Sequence, residues 1–171
     1  MDLVKKRSGV ELKFYDLASK IVKENGYELY DLDYVSGSST LRVFILDLET
    51  SSALIEDCVK VDRGFSSYCE TESWIPDDFV LEVSSPGVYR VMKTFDHFKS
   101  AIDDFVEFTI TGRLDADQSV GLSKQDANKS MFRAKVLEVN NENIKIEYVG
   151  QEVLLSFKQI KKANLDPDLN S

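Results

Sequence analysis

Hydrophobic side chains recur at helical spacing near the start of the chain and at strand spacing directly after it. Intervals of three and four residues predict a helix with an apolar stripe of Val10, Phe14, Leu17 and Ile21. The pair Asn25-Gly26 is a typical helix end. Alternation with period two then predicts a β-hairpin, with strands over Tyr27–Val35 and Thr40–Asp47 and a turn over Ser36–Ser39.

A second helix and a third strand follow the hairpin. Helical spacing covers Ile55–Cys69, with Ser51 or Ser52 expected as the N-cap. Phe79–Ser84 is predicted to be a short strand, because Ser, Pro and Gly follow it directly. The order αββαβ predicts a two-layer α+β domain with both helices on one face of a small sheet.

The pattern changes after residue 104, where no long helical period remains. Five short strands are predicted over Phe105–Thr111, Phe132–Val139, Ile144–Val149, Glu152–Ser156 and Lys162–Leu165. The polar stretch 112–130 between the first two is expected to be a long mobile loop. This arrangement predicts a small SH3-like or Sm-like barrel. The domains are therefore placed at 1–92 and 93–171, with a connector over 88–99.

Composition limits the class of protein. Of the 171 residues, 43% are hydrophobic, which excludes a mostly disordered chain. Apolar runs are only a few residues long, whereas a membrane helix needs about 20. The basic run Lys5-Lys6-Arg7 precedes a polar segment, so no signal peptide is expected.

Cysteine usage points to a reducing compartment. The chain has two cysteines, Cys58 and Cys69, which is too few for a disulfide framework. Three helical turns separate them, about 16 Å along the axis, so they are expected to be core thiols. We expect a monomeric cytoplasmic protein without a cofactor.

The formal charge of −9 argues against a protein that holds naked nucleic acid by bulk electrostatics. The excess is uneven, because residues 1–92 carry a net −7 and residues 93–171 a net −2. The acidity therefore belongs to the first predicted domain.

Candidate catalytic and metal-binding residues are sparse. The only histidine, His97, has no recognisable nucleophile near it in sequence, and no phosphate-binding glycine loop is present. The carboxylate pairs Asp31/Asp33 and Asp47/Glu49 lie on strand faces and could hold a hard cation. The favoured interpretation is the solvated face of a hairpin, so we expect no catalytic and no metal-binding residue.

Basic residues that could meet phosphate form two small groups. Lys158, Lys161 and Lys162 lie near the end of the predicted barrel. Arg90 and Lys93 follow the Pro86-Gly87 turn. Runs this short are usually solvated, so they are suggestive without being specific.

The segment Leu81–Arg90 carries the strongest signal. Its strand ends in Ser84-Ser85-Pro86-Gly87, where Pro86 fixes φ and Gly87 accepts a positive φ, so a rigid turn is expected. The segment resembles the Leu-Glu-Val-Ser-Ser-Pro-Gly signature of the RimP family of bacterial ribosome maturation factors. Further similar segments occur in the family's order at Asn25–Leu29, Leu41–Ile45, Asp57–Val59, His97-Phe98 and Ser156–Leu165. Tyr89 and Val91 depart from the family pattern.

The resemblance implies an αββαβ domain joined to an Sm/SH3-like barrel. It also implies a non-enzymatic factor that binds the free, immature small (30S) ribosomal subunit, near ribosomal RNA and small-subunit ribosomal protein twelve. The expected contacts are Ser84, Ser85, Pro86, Gly87, Arg90, Lys93, Lys158, Lys161 and Lys162. A general RNA-binding module acting through the barrel is the main alternative. A metal-dependent enzyme using the strand carboxylates is a weaker one.

Overall fold

The computed structural model describes Leu3 and residues 6–168. These residues form two compact units. The N-terminal unit is Lys6–Gly87, and the C-terminal unit contains Leu3 and runs from Val88 to Asp168.

The N-terminal unit has the αββαβ order that the hydrophobic pattern predicts. Its elements are α1 (Gly9–Glu24), β1 (Glu28–Val35), β2 (Thr40–Leu46), α2 (Ile55–Thr71) and β3 (Val80–Ser84). The sheet order is β1-β2-β3, antiparallel between β1 and β2 and parallel between β2 and β3. A short 3₁₀ turn over Ser36–Ser38 closes the hairpin where the sequence places it.

The core of this unit lies between the two helices and the sheet. Phe14, Ala18, Ile21 and Val22 of α1 are buried, as the helical stripe requires. The Phe14 ring lies within 4.8–5.2 Å, centroid to centroid, of the rings of Tyr34, Trp74 and Phe79. An aromatic cluster therefore joins α1 to the hairpin and to the segment between α2 and β3.

The prediction that the acidic side chains of the hairpin face solvent is wrong for Asp31, which is only 8% exposed. Its Oδ1 accepts a hydrogen bond from the Leu32 amide (2.8 Å) and lies 3.8 Å from Nη2 of Arg7. The Arg7 guanidinium also lies over the Tyr15 ring, 4.1 Å from its centroid. The segment before α1 therefore brings a cation to Asp31. Of the basic run 5–7, Lys5 lies outside the described residues.

The N-cap predicted at Ser51 or Ser52 is also wrong, because α2 begins after Leu54. The capping oxygen comes from Asp57, whose Oδ2 accepts the Leu54 amide at 3.0 Å. An acid three residues into a helix can satisfy this donor without a capping serine.

One of the two cysteines does not occupy the core position that the sequence predicts. Cys58 is half-buried and packs against the core, whereas Cys69 is exposed. Desolvation raises the pKa of both thiols. The prediction of a core thiol is therefore wrong for Cys69.

The C-terminal unit contains a five-stranded antiparallel sheet. Its elements are α3 (Phe95–Lys99), β4 (Phe105–Ile110), α4 (Lys124–Ala127), β5 (Met131–Val139), β6 (Asn143–Tyr148), β7 (Gln151–Ser156) and β8 (Ile160–Leu165). The strand order is β7-β6-β5-β4-β8, and no pairing between β7 and β8 closes it within the described residues. Alternate residues of the strands, together with Met92 and Phe98, form one buried core.

The segment 112–130 is more ordered than the expected mobile loop. Leu114 is buried, and α4 is capped by the Ser123 hydroxyl, which accepts the Asp126 amide at 3.1 Å. The Gln118 side chain donates to the Leu154 carbonyl at 2.7 Å and pairs reciprocally with the Gln159 amide. Side-chain amides therefore hold this segment on the sheet, a contact that polar composition alone does not reveal.

Candidate functional site

The Ser84–Gly87 turn ends the N-terminal unit as a local, self-bonded structure. β3 stops at Ser84, and the Ser85 hydroxyl accepts a hydrogen bond from the Gly87 amide at 3.0 Å. Gly87 has φ +79°, which confirms the positive φ expected there. Ser84 and Gly87 are exposed, while Ser85 and Pro86 are half-buried.

Arg90 and Lys93 belong to the C-terminal unit, where their backbone is fixed. The Arg90 carbonyl accepts the Leu165 amide, and the Met92 amide donates to the Ala163 carbonyl, both at 2.9 Å. The segment 90–92 therefore runs along the outer edge of β8. Both Arg90 and Lys93 are half-buried, and each has at least one interaction partner in the structure.

His97 has a structural position in the same segment. It is buried in α3, and its Nδ1 accepts the Lys93 amide at 3.0 Å. Its own amide donates to the Thr94 hydroxyl that caps α3. The imidazole thus anchors the chain just before α3.

Lys158, Lys161 and Lys162 are all exposed at the start of β8 and in the turn before it. A register shift between Thr109 and Ile110 pairs Ile110 with Ile160 and Thr109 with Lys162, so Lys161 is an extra residue. This bulge explains why two consecutive lysines are exposed while Ile160 and Ala163 on either side are buried. The structure therefore gathers these three cations at one end of one strand.

Sequence reasoning missed a groove in the N-terminal unit between α2 and β3. The cavity measures about 650 Å³. It is lined by Ala53, Ile55, Cys58, Val59, Asp62, Leu81, Glu82, Val83, Ser84 and Ser85. The helix contributes positions 55, 58, 59 and 62, one face of α2. Ile55 and Val59 belong to the apolar helical spacing of this segment, yet they are 83% and 40% exposed. Only the tertiary position of α2 shows that this face is open.

Asp57 stands beside this groove in a polar cluster of its own. Tyr27 donates a hydrogen bond from its hydroxyl to the Asp57 carboxylate, and Lys60 Nζ lies 3.4 Å from the same oxygen. The Tyr27 hydroxyl, the Leu54 amide and Lys60 together hold the pKa of Asp57 below its ordinary value. The cluster joins the start of α2 to the residue before β1 and favours the charged form of this carboxylate.

The described residues contain no group of three or more acidic, histidine or cysteine side chains arranged to hold a metal ion. Asp47, one of the acids considered for a cation, accepts the amides of Glu49 and Thr50 in a turn instead. Among the helices that the structure describes, none has the length and apolar character needed to cross a bilayer.

Residues 17–89 match the family model of the RimP N-terminal domain. The match runs from within α1 through the hairpin, α2 and β3 to just beyond the Ser84–Gly87 turn. The two-layer unit is therefore an N-terminal domain of the RimP type. The resemblance seen in the sequence is confirmed over this span, and the chain carries the domain of the RimP family of ribosome maturation factors.

Proposed function

We propose that this protein is a non-enzymatic assembly factor that binds the free, immature small (30S) ribosomal subunit in the cytoplasm and promotes its maturation. The observation that carries the proposal is the match of residues 17–89, including the Ser84–Gly87 turn, to the RimP N-terminal domain.

The factor acts through binding energy. A ligand that prefers a near-native conformation shifts the subunit population toward it, in proportion to its differential affinity for the two conformations. No chemical step and no cofactor are required for this action, and a monomer suffices for it.

The division of charge supports two different contacts. Residues 1–92 carry a net −7 and form the proposed acidic domain, which faces a basic protein, small-subunit ribosomal protein twelve. Complementary potentials speed encounter and fix the orientation of the bound partners. Residues 93–171 form the second proposed domain, an SH3-like or Sm-like barrel that contacts ribosomal RNA.

On the C-terminal unit, we assign the RNA contact to Lys158, Lys161 and Lys162. The exposure of all three at the start of β8 supports this assignment. We further propose the Ser84–Gly87 turn, Arg90 and Lys93 as subunit contacts. The order of the turn and the backbone anchoring of Arg90 support their use as preorganised surfaces.

A sucrose gradient of cell extract, blotted for this protein, tests the proposal. We expect the protein in the fractions of free small subunits and not in those of translating ribosomes. A protein found only at the top of the gradient at low salt would contradict it. Tight, strongly salt-dependent binding to short naked RNA would favour the RNA-binding alternative.

The two cations that follow the turn, Arg90 and Lys93, are tested separately with purified small subunits. The double variant Arg90→Glu, Lys93→Glu is expected to weaken subunit binding. Unchanged binding would remove these two residues from the contact surface and leave the gradient test unaffected.

A further inference from the structure

The α2–β3 groove, defined by the ten lining residues given above, opens along the edge of a sheet. In the described part of the chain, β3 pairs with β2 on one side and with no strand on the other. The lining includes the five consecutive residues 81–85. Consecutive strand residues point to opposite faces, so a cavity that reaches all of them lies against the backbone edge.

The two edge strands of this sheet differ in how they are protected. β1 has a bulge at Tyr30, between Leu29 and Asp31, and the inward-pointing Asp31, features that discourage pairing with another strand. β3 has a regular register with β2 and no lysine, arginine or proline between Val80 and Ser84. An edge of this kind is suited to accept a further strand.

The opposite wall of the groove, formed by α2, is apolar except at Asp62. Ile55 and Val59 are exposed on α2, next to the half-buried Cys58. Alternate side chains of a strand added to β3 would point toward this helix face and be removed from water there. The five residues of β3 span about 16 Å, so the added strand would have about five residues.

The charge of the groove indicates which kind of partner it binds. The lining of the groove contains Asp62 and Glu82 and no basic residue, and Arg42 of β2 lies 2.8 Å from the Glu82 carboxylate. It belongs to the domain that holds most of the negative charge of the chain. A nucleic acid would be repelled, and a second copy of the chain would bring the same acids. A positively charged peptide can pair with the backbone edge of β3, and its charge complements that of the groove.

We propose that the α2–β3 groove binds an extended, basic segment of a protein partner, which adds to β3 as a fourth strand and packs apolar side chains against Ile55 and Val59. The inference deepens the proposed function and rests on it for the source of the segment, a ribosomal protein of the small subunit.

Lysine substitutions in the groove provide the first test. Val59→Lys and Ile55→Lys each add a like charge and remove apolar contact, so binding of purified small-subunit ribosomal protein twelve is expected to weaken by roughly tenfold or more. Leu12→Lys is the matched control, because Leu12 is an exposed apolar residue of α1 outside the groove. Equal affinities for the wild type and the three variants would overturn the inference.

The two cysteines provide a footprint of the groove. Cys58 lines it, whereas Cys69 lies three helical turns further along α2 and does not. In a Cys69→Ser protein, saturating ribosomal protein twelve is expected to slow alkylation of Cys58 at least several-fold. In a Cys58→Ser protein, alkylation of Cys69 should be unchanged. An unprotected Cys58 in a complex shown to be saturated would overturn the inference.

The failure of this inference is distinguishable from failure of the proposed function. Wild-type protein absent from free small subunits contradicts the function. Wild-type protein present on them, with Val59→Lys binding equally well, contradicts the groove alone. Concentration-dependent dimers abolished by Val59→Lys would assign the groove to a second copy, and protection of Cys58 by naked RNA would assign it to nucleic acid. Either result would overturn the peptide proposal.

Discussion

At the residue scale, Gly64 marks a close approach of the two helices in the N-terminal unit. A Cβ added there would lie 2.6 Å from Cγ2 of Ile21. Ile21 is buried, and its branched carbon has little freedom to move. The glycine therefore serves helix packing, although it lowers the helix propensity of α2.

Gly64→Ala is therefore expected to destabilise the protein by about 1–3 kcal/mol, the usual cost of overpacking, in spite of the better helix propensity of alanine. Urea unfolding measures the change. Gly37→Ala is the control, since nothing lies within 4 Å of a Cβ at that position, and it should stay within about 0.5 kcal/mol. A Gly64→Ala protein as stable as wild type would show that α1 can shift away.

Asp57 combines helix capping with a hydrogen bond from Tyr27, and its folded-state pKa is lowered. A lowered pKa means that the carboxylate stabilises the folded state fully above its unfolded value, near 4. This contribution is lost as the pH falls from there through the folded pKa.

Asp57→Asn is therefore expected to lower the free energy of unfolding at pH 7, with a difference from wild type that shrinks below about pH 4. Urea unfolding across this pH range is the measurement. Asp62→Asn, an exposed acid on the same helix, should show a smaller effect. A pH-independent difference would mean that the charge of Asp57 does not contribute.

At the element scale, the segment 112–130 depends on a small network of side-chain amides. Gln159 donates to Oδ2 of Asp115 and to Oε1 of Gln118, both at 3.1 Å, and accepts the Ser156 amide at 3.0 Å. Gln159 lies in the turn before β8, so one side chain connects the segment to the strands of the sheet.

Gln159→Ala is expected to open the segment more often while the sheet core stays closed. Each hydrogen bond contributes about 1 kcal/mol net, so loss of the network should speed amide exchange over 112–130 by roughly tenfold or more. Hydrogen exchange followed by mass spectrometry resolves the segment from β4 and β5. Gln125→Ala, an exposed glutamine of α4, is the control. Uniform acceleration across the unit would instead indicate global destabilisation.

At the scale of the whole molecule, charge is separated along the chain. An acidic N-terminal region and a nearly balanced C-terminal region suit a partner that presents both basic protein and RNA. The net −9 opposes binding to RNA alone, so the proposed binding to an assembled particle would require contacts of both kinds.

The triple variant Lys158→Glu, Lys161→Glu, Lys162→Glu is expected to weaken binding to small subunits and to reduce the salt dependence. Three lost phosphate contacts correspond to a decrease of roughly 2–3 in the slope of log K against log salt. Lys23→Glu, Lys99→Glu, Lys124→Glu changes the net charge equally at scattered exposed positions and serves as control. Equal slopes for both variants would assign the effect to net charge and not to these three lysines.

The αββαβ order of the N-terminal unit and the five strands of the C-terminal unit could be predicted, because periodicity reports which side of an element faces a core. The short helices α3 and α4 were not predicted. The Phe14 stripe and the alternation around Leu32 placed α1 and the hairpin correctly. Local chemistry also predicted the Gly87 turn, since proline and glycine act on their own dihedral angles. Asp31, Asp57 and the segment 112–130 were not predictable in this way, because their partners are distant in sequence or lie on another element.

The sequence by itself determined the elements of the N-terminal unit, the strands of the C-terminal unit, the division of charge and the family signature at Ser84–Gly87, since each depends on residues close together in the chain. Only the tertiary structure decided that Asp31 is buried near Arg7, that a bulge exposes Lys161 beside Lys162, and that Ile55 and Val59 face an open groove. A stripe of apolar residues has the same pattern whether a sheet covers it or stops short of it. The position of α2 beside the free edge of β3 makes that difference.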